Sequence, residues 1–409
     1  MTLTFITFRT IFFSVILLVS STYLSSVSVA KTLLEPPPFA DWLKALMVDA
    51  DARGVSQATI QLVLANSVPI NRVIELDRRQ PEFTMTLFSY FKKAISQQRI
   101  LKGKKLLETH ASLLRQVEKK YGVQPRFLVA FWGLESNFGQ FTGSFSVVQA
   151  LVTLAHDRRR AKFFREQLFA VLDLIDAGHI PPNVMGSWAG AMGNHQFIPT
   201  TYKGYAVDFD GDGKRDLWNS LPDIFASAAN YLSRSGWQDN KTWGREVKIP
   251  SNFDLNHTGM KIQKPLNVWN KLGVRLTNGE PLPRATFSAS LIIPAGYQGP
   301  AFLVYKNYRT IMIWNRSHLY ALAVGHLADR LTGKGPLVKR SSNDDVALSR
   351  ADIREMQALL NQRGFHVGTP DGVTGPMTRS AIRAFQRSRG MPPDGYPNKS
   401  LVVQLRNAQ

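Results

Sequence analysis

Apolar side chains recur every three or four positions through much of the chain, a period that predicts amphipathic helices. The segments with this pattern are residues 39–65, 83–101, 104–121, 163–175, 222–232 and 318–331. Residues 125–139 differ, because no position from Phe127 to Leu134 carries a polar side chain. Pro125 suits the first turn of a helix, where its missing N–H is not needed. We therefore expect a buried helix that begins at Pro125.

A different pattern follows in residues 245–314, where short runs of β-branched and aromatic residues are separated by Pro and Gly. Examples are the runs from Phe287 to Ile293 and from Ile311 to Trp314. Such runs predict short strands. The predicted fold class is therefore mainly α, of the α+β kind, with a small β excursion inside a helical domain.

The end of the chain has its own organisation. Residues 333–349 are mostly polar and predict a linker. In residues 350–409, Ile353-Arg354-x-x-Gln357 recurs as Ile382-Arg383-x-x-Gln386, and each copy is followed by Gly and then by Asp-Gly. This repeat predicts three short helices joined by glycine turns. A domain of this size without a cluster of catalytic residue types is typical of a binding module.

The first 30 residues have the pattern of a secretory signal. Arg9 supplies the positive charge, Ile11 to Val19 the apolar segment, and Ser28-Val29-Ala30 a cleavage site of small residues. An uncleaved anchor is the alternative, although the polar residues 21–28 shorten the apolar run. The signal predicts export, and we expect a periplasmic protein.

The amino-acid composition limits the classes of molecule that the chain can be expected to bind. The chain has no cysteine, which excludes a lipid-modified N-terminus and disulfides. The formal net charge of +20 favours a polyanion or an anionic surface as partner. No nucleic-acid-binding motif is present, and export argues against that partner. No apolar run after the signal approaches the ~20 residues of a membrane-spanning helix. We expect a monomer.

The predicted buried helix carries one acidic residue, Glu135, at its end, and Gly139 and Gly143 follow in a loop. A carboxylate that is partly withdrawn from water has a raised pKa, as a general acid near neutral pH requires. Glu135 is therefore the candidate proton donor. The alternative interpretation is a glutamate that caps the exposed end of a core helix.

Residues 186–199 hold several Gly and Ala residues and show neither strand nor helix periodicity. Such a segment lets the backbone approach another group closely. One interpretation is the wall of a substrate cleft, in which Ser187 offers a hydroxyl and Gln196 an amide. The other is a tight loop packed under the core.

An Asp-rich segment begins at Asp208. Asp208, Asp210 and Asp212 occupy positions 1, 3 and 5 of a calcium-binding EF-hand loop, Gly213 the sixth and Asp216 the ninth. The twelfth position departs from that pattern, because Asn219 replaces the bidentate Glu. The nearest carboxylate beyond it is Asp223. The segment predicts a structural calcium site, with an Asp/Gly-rich surface turn as the alternative.

These motifs together resemble the lytic murein transglycosylases of the B family. The resemblance covers residues 38–332 and rests on four separated motifs in the same order. They are Gly133-Leu-Glu135-Ser-x-Phe-Gly139, Gly186-Ser-Trp-Ala-Gly-Ala-Met-Gly-x-x-Gln196-Phe-Ile-Pro199, Tyr205-Ala-Val-Asp208 and Ala229-Asn-Tyr231-Leu232. The repeat in residues 350–409 is similar to the peptidoglycan-binding module 1 family.

The resemblance implies a lysozyme-like catalytic domain that cleaves the β-1,4 bond between N-acetylmuramic acid and N-acetylglucosamine of peptidoglycan glycan strands, with a 1,6-anhydromuramic product and no catalytic cofactor. It implies that Glu135 is the catalytic residue. It also implies one set of sugar-binding residues and one set of ion ligands. These are Ser187, Gln196, Tyr231, Asn315 and Tyr320 for sugar, and Asp208, Asp210, Asp212 and Asp223 for the ion. Trp314 stands where the family has a tyrosine, and the loop has one residue more before Asp223.

One conspicuous acid is consistent with this chemistry. Hydrolytic glycosidases normally use two carboxylates, one of which activates water or serves as nucleophile. Glu135 alone could protonate the leaving oxygen and then take the proton of the muramic acid 6-hydroxyl, which attacks the anomeric carbon. The alternatives are a lysozyme-like muramidase and a non-catalytic wall-binding scaffold.

Overall fold

The structure is a computed structural model that describes residues 36–78, 85–340 and 346–407. The predicted signal, residues 1–30, lies outside these ranges. In the described part of the chain, no helix is long and apolar enough to cross a membrane. The expected fold class is confirmed, because helices dominate and the strands are short.

The helices and strands have the following bounds. The helices before the main sheet are α1 (Phe39–Ala52), α2 (Gln57–Leu64), α3 (Asn71–Arg78), α4 (Leu87–Ala94), α5 (Gln97–Thr109), α6 (Ala111–Tyr121), α7 (Pro125–Ser136), α8 (Val147–His156), α9 (Ala161–Asp176), α10 (Pro199–Tyr205) and α11 (Leu221–Arg234). Those that follow are α12 (Leu266–Lys271), α13 (Lys306–Trp314), α14 (His318–Leu331), α15 (Arg350–Gln362), α16 (Pro376–Ser388) and α17 (Lys399–Asn407). The strands are β1 (Phe145–Ser146), β2 (Met185–Gly186), β3 (Gly244–Lys248), β4 (Lys264–Pro265), β5 (Arg275–Leu276), β6 (Ser288–Ile292) and β7 (Ala301–Val304).

The β excursion is a five-stranded antiparallel sheet in the order β4-β6-β7-β3-β5. The predicted strand over 287–293 is confirmed as β6. The strand predicted over 311–314 is wrong, because these residues end the helix α13. Ile311 is fully buried there in the helical core. The β-branched run therefore serves helix packing, and tertiary contact overrides its strand propensity.

The helix predicted over 104–121 is also divided, because α5 ends before His110 and α6 begins after it. The ring of His110 faces the core, 6.3 Å from the ring of Trp132 and 6.2 Å from that of Phe225. The end of α6 agrees with the prediction, since Gly122 adopts the left-handed conformation that stops a helix.

Among the described residues of the large domain, two apolar cores lie between its helices, and a third lies on the five-stranded sheet. Of the two cores between helices, one is formed around α7, α11 and α14, and the other around α8 and α9. Two aromatic residues, Tyr231 and Trp314, pack against both cores. The junction between the cores is therefore lined by these side chains, and ligand sites are common at such junctions.

The repeat in the C-terminal module is a structural repeat. The amide of Gln357 donates to Asp371 and accepts from the N–H of Gly372, at 2.9 Å each. Gln386 makes the same pair of bonds to Asp394 and Gly395, at 2.7 and 2.8 Å. Each buried glutamine thus fixes one Asp-Gly turn onto its helix, α15 or α16.

The module contacts the large domain. The N–H of Tyr297 donates to Asp394 Oδ2 at 3.0 Å, and Arg350 Nη1 donates to the carbonyl of Arg78 at 3.0 Å. The predicted linker is held in part, because the N–H groups of Val338 and Lys339 both donate to Glu246 of β3.

Candidate active site

The buried helix α7 begins at Pro125, as predicted, and ends immediately after Glu135. Its residues from Phe127 to Gly133 are buried, whereas Glu135 is half-buried. The next turn is unusual, because Asn137 and Phe138 both have positive φ angles, 51° and 62°. Non-glycine residues rarely adopt this conformation, and where they do the surrounding contacts usually enforce it.

Those contacts explain the glycines around Glu135. Phe138 folds back over α7, and a Cβ on Gly133 would lie 2.8 Å from its ring. A Cβ on Gly139 would lie 2.5 Å from Asn194 Oδ1. Asn194 in turn accepts a hydrogen bond of 2.6 Å from Trp132 Nε1. The spacing Gly133-x-Glu135-x-x-x-Gly139 therefore lets the chain close tightly just after the carboxylate.

The carboxylate of Glu135 receives two side-chain donors on the same oxygen. Trp314 Nε1 donates to Oε1 at 2.9 Å, and the hydroxyl of Tyr320 donates to Oε1 as well. Both residues come from the distant pair α13 and α14. Because a donor stabilises the charged form of its acceptor, these two bonds stabilise the carboxylate form of Glu135. The indole N–H of Trp314 also supplies a hydrogen bond at the position where the family has tyrosine.

Trp314 joins the carboxylate to an aromatic cluster at the junction of the two cores. Its ring lies 4.5 Å from that of Phe131, 5.0 Å from that of Tyr231 and 5.4 Å from that of Phe197. The contact with Tyr231 is edge-on, at 84°. Burial raises the pKa of Tyr231, so its hydroxyl stays neutral. The predicted residues Glu135, Tyr231 and Tyr320 therefore belong to one connected group.

Gln196 lies beside this group. It has a φ of 50°, and its side-chain nitrogen donates to the carbonyls of Thr142 and Gly193 at 3.0 and 2.9 Å. Its amide therefore joins the loop after α7 to the Gly-rich segment. Its chain neighbour Phe197 packs against Trp314, so Gln196 is fixed close to the aromatic cluster.

Ser187 and Asn315 have local partners in the structure. Ser187 Oγ accepts from the N–H groups of Ala189 and Ala191, and within the described residues its hydrogen bonds stay inside its own loop. Asn315 Oδ1 accepts from the N–H of Ser317 and shapes the turn between α13 and α14. The structure therefore does not link Ser187 directly to Glu135, whereas Asn315 directly follows Trp314.

The Gly-rich segment is a tightly packed loop. A Cβ on Gly143 would lie 1.9 Å from the backbone carbon of Gly186, and one on Gly186 would lie 2.3 Å from the carbonyl of Ala191. The close approach that the glycines predict is therefore between backbone segments of the chain itself. The segment is therefore a packed loop, which is one of the two interpretations of its sequence. The other interpretation, that the same loop forms a wall of a substrate cleft, stays a prediction.

Sequence reasoning missed two buried residues of this segment. Asn194 connects Trp132 of α7 to the carbonyls of Leu217 and Trp218, at 3.1 and 2.9 Å. The ring of His195 lies 6.1 Å from that of Trp314, and burial lowers the pKa of His195 to about 4. His195 is therefore neutral at ordinary pH. No local signal identifies either residue, because their partners are distant in sequence.

The Asp-rich segment brings three carboxylates together. One oxygen each of Asp208, Asp210 and Asp212 lies within 4.8 Å of the others. Asp208 accepts from the N–H groups of Gly211 and Gly213, and Asp212 accepts from that of Lys214. Three convergent carboxylates on an EF-hand-like loop fit a hard cation such as calcium, which prefers several oxygen ligands.

Asp223, the fourth expected ligand, does not belong to this group. It is fully buried at the start of α11, and its two oxygens accept from the N–H groups of Phe209 and Asp216 at 2.7 and 2.8 Å. Burial raises its pKa, against the effect of these two donors. Asp223 therefore connects the start of the Asp-rich loop, at Phe209, to its end, at Asp216, from the buried side of the loop.

Comparison with known proteins identifies the family of the chain. Residues 38–329 match the family model of the transglycosylase SLT domain, and residues 349–405 match that of a putative peptidoglycan binding domain. The chain belongs to the transglycosylase SLT family, and it is a lytic transglycosylase that acts on peptidoglycan. The predicted family resemblance is thus confirmed.

The relatives make the class more specific. Membrane-bound lytic murein transglycosylase B of Escherichia coli is 29% identical over 67% of this chain and 78% of its own. SltB3 of Pseudomonas aeruginosa, solved in complex with NAG-anhNAM-pentapeptide, is 45% identical with a TM-score of 0.87, over 91% of this chain and 100% of that one. The Escherichia coli lytic transglycosylase Slt35, solved in complex with calcium, is 28% identical with a TM-score of 0.62, over 72% of this chain and 93% of that one.

Proposed function

We propose that the chain cleaves the β-1,4 bond between N-acetylmuramic acid and N-acetylglucosamine and leaves a 1,6-anhydromuramic end. The observation that carries the proposal is Glu135, half-buried at the end of α7 with Trp314 and Tyr320 as donors to one oxygen. The substrate class follows from the family, and SltB3 was solved with a NAG-anhNAM-pentapeptide.

The proposed reaction uses Glu135 twice. Protonated Glu135 gives its proton to the leaving glycosidic oxygen, a step in which a positioned acid contributes about 10²- to 10⁴-fold. The resulting carboxylate, stabilised by Trp314 and Tyr320, then accepts the proton of the muramic acid 6-hydroxyl. The 6-oxygen attacks the anomeric carbon and closes the second ring, so no water enters the product.

The sequence supports an intramolecular nucleophile. Apart from Glu135, residues 125–156, 186–199, 224–238 and 300–328 contain no Asp or Glu. These segments supply the aromatic cluster, the Gly-rich loop and the donors to Glu135. A hydrolytic partner carboxylate normally lies ~5–10 Å from the acid, and the segments around Glu135 do not offer one.

We assign the sugar-binding positions from their place beside Glu135 and the aromatic cluster. Tyr231 and Gln196 are held at the aromatic cluster, and Asn315 follows Trp314, so these three side chains are placed to contact glycan near the acid. Ser187 is assigned from the family resemblance, and its loop lies against the loop after α7.

We also propose that Asp208, Asp210 and Asp212 hold calcium, which stabilises the loop and takes no part in the reaction. The support is the convergence of the three carboxylates and the EF-hand spacing. Slt35 was solved in complex with calcium. Asp223 supports the loop through its backbone N–H contacts.

For the location, we propose export to the periplasm through the signal in residues 1–30. The C-terminal module would tether the enzyme to the insoluble wall and raise its local concentration there. Separating periplasmic from cytoplasmic fractions of cells that make the full chain tests this proposal, and protein confined to the cytoplasm would contradict it.

Product analysis tests the reaction. Purified sacculi are digested with the wild type and with Glu135→Gln, and the soluble products are analysed by mass spectrometry before and after borohydride treatment. The proposal expects muramic ends that are lighter by one water molecule and do not take up borohydride. Reducing muramic ends would instead support a muramidase, and undiminished solubilisation by Glu135→Gln would exclude Glu135 as the acid.

A further inference from the structure

Two consecutive residues of the Gly-rich segment, Asn194 and His195, are buried and have no part in the proposed reaction. They keep only 3% and 2% of their surface exposed. A buried polar side chain costs free energy unless its contacts compensate. The contacts of these two residues lead to the two ends of one hydrogen bond, that from Trp314 to Glu135.

The side-chain amide of Asn194 has partners on both sides. Its Oδ1 accepts from Trp132 Nε1 at 2.6 Å, three positions before Glu135 on α7. Its Nδ2 donates to the carbonyls of Leu217 and Trp218 at 3.1 and 2.9 Å. Because an indole nitrogen only donates and a carbonyl only accepts, an amide in this one orientation satisfies all three groups. Asn194 therefore fixes the end of α7 to the segment that follows the Asp-rich loop.

The same residue also borders the turn after Glu135. Gly139 has a φ of 80°, and a Cβ there would lie 2.5 Å from Asn194 Oδ1. The backbone N–H of Asn194 donates to the carbonyl of Leu217 at 2.8 Å, so the main chain is fixed as well. Asn194 therefore contacts the chain both before and after the carboxylate that accepts from Trp314.

His195 contacts the donor of that bond. Its ring lies 6.1 Å from the ring of Trp314, at 74°, and 6.4 Å from that of Phe225, at 65°. Aromatic rings favour such edge-to-face contacts. His195 Nε2 lies 3.4 Å from the carbonyl of Leu128 of α7, and because a carbonyl only accepts, this nitrogen is the donor. His195 therefore contacts both the helix that carries Glu135 and the side chain that donates to it.

We propose that Asn194 and His195 are positioning residues that set the hydrogen bond from Trp314 to Glu135. Asn194 fixes the helix that carries the acceptor, and His195 contacts that helix and the donor. The two bonded residues are 179 positions apart, so nothing along the chain holds them in register. The inference rests on the proposed function, in which this bond stabilises the carboxylate form of Glu135.

The first test separates positioning by His195 from stability. His195→Gln removes the ring but keeps an N–H group for the carbonyl of Leu128, and it should lower kcat about tenfold with little change in KM. His195→Phe, which keeps a ring beside Trp314, should retain most of the activity. His326→Gln is the matched control, because His326 is also buried and stacks on an aromatic ring, that of Phe91. It should lower the melting temperature but keep the wild-type kcat. Equal kcat in His195→Gln and the wild type would overturn the role of His195.

The bond of Asn194 is tested from its partner. Asn194→Ala would leave two buried carbonyls unpaired and endanger folding, whereas Trp132→Phe removes only the indole donor and keeps a ring. Trp269→Phe on α12 is its control, because Trp269 is fully buried and also makes one indole hydrogen bond, to the carbonyl of Ala289 at 3.1 Å. Both variants should lower the melting temperature, but only Trp132→Phe should lower kcat, by about tenfold. The same kcat in the two variants would contradict the role of Asn194.

A measurement without substrate reads the bond itself. In protein labelled with ¹⁵N at its 8 tryptophans, the indole N–H resonance of Trp314 is assigned by its absence from Trp314→Phe. Its exchange with water should be about tenfold faster in His195→Gln and in Trp132→Phe, because an N–H group exchanges when its hydrogen bond opens. His326→Gln should keep the wild-type rate.

The two kinds of measurement distinguish the possible failures. If the wild type forms anhydro ends but the indole exchange of Trp314 is unchanged in His195→Gln and in Trp132→Phe, the positioning proposal is overturned. If the wild type forms no anhydro ends, the proposed function fails, and the exchange rates still decide whether Asn194 and His195 set the bond.

Discussion

Glu135 and the Asp-rich loop hold their carboxylates in opposite ways. Glu135 accepts from Trp314 and Tyr320, which lie 179 and 185 positions further along the chain. Asp208 and Asp212 accept from backbone N–H groups that are two to five positions away. The first carboxylate therefore depends on the packing of distant helices, whereas the others depend on one loop.

The difference corresponds to the two kinds of chemistry that we propose for Glu135 and for the Asp-rich loop. A proton-transfer group needs a controlled charge state, and donors from separate helices can adjust it while burial limits water. A cation site needs several oxygens at fixed positions, and a short loop can supply them without help from the core. The comparison predicts that changes at the two places affect different measurable properties.

The largest effect is expected for the proposed acid, Glu135. Glu135→Gln removes the transferable proton but keeps the shape of the side chain, so wall-solubilising activity should fall by about 10²- to 10⁴-fold. The melting temperature should remain close to that of the wild type. Glu108→Gln, on the exposed face of α5, is the matched control and should retain full activity. A comparable loss of activity in Glu108→Gln would contradict a specific role of Glu135.

The donors to Glu135 should have the next largest effect. Trp314→Phe and Tyr320→Phe each keep an aromatic ring and remove one hydrogen bond to a charged acceptor, which is worth ~1.5–3 kcal/mol. We expect about 10- to 100-fold lower kcat for each, with little change in KM. Tyr297→Phe, far from the acid in sequence and partly exposed, controls for the loss of a hydroxyl. A change confined to KM would show that the two residues bind glycan rather than tune the acid.

Removal of calcium from the Asp-rich loop should lower the stability of the protein and leave its enzymatic activity nearly unchanged. A site that binds calcium only in the folded state gains ~2.7 kcal/mol at a hundredfold excess over its Kd. Chelator should therefore lower the melting temperature of the wild type by several degrees, and Asp212→Asn should abolish this response. Activity measured well below the melting temperature should change little. A melting temperature that ignores both chelator and added calcium would refute the ion proposal.

The smallest effect on the calcium response is expected at Asp223. Asp223→Asn keeps one acceptor and loses one backbone hydrogen bond of the loop to a charged acceptor, at a cost of ~1.5–3 kcal/mol. Because Asp223 is not in the group of three carboxylates, the stabilisation by calcium should persist in this variant. If thermal scans showed no calcium response in Asp223→Asn, this buried residue would have to be counted among the ligands.

The sequence predicts what depends on neighbours along the chain. Helix α7 follows from Pro125 and its apolar run, and the C-terminal repeat follows from two copies of one motif. The EF-hand spacing locates Asp208, Asp210 and Asp212 because their geometry is local. The helix His318–Leu331 was predicted with the bounds that α14 has.

What depends on distant contacts was not predictable. The run Ile311 to Trp314 looks like a strand until the core that surrounds Ile311 is known. The bond from Trp314 Nε1 to Glu135 requires the positions of α7 and α13 together. Asn194 has no motif of its own, since its role comes from Trp132 and Trp218. Likewise, only the fold shows that the buried carboxylate of Asp223 accepts backbone hydrogen bonds from both ends of the loop.

The most direct test of the central claim is digestion of purified sacculi in water labelled with heavy oxygen. If Glu135 activates the 6-hydroxyl of the same sugar, mass spectrometry will find no label at the anomeric carbon of the new muramic ends. Label at that carbon would show that water is the nucleophile and would contradict the account.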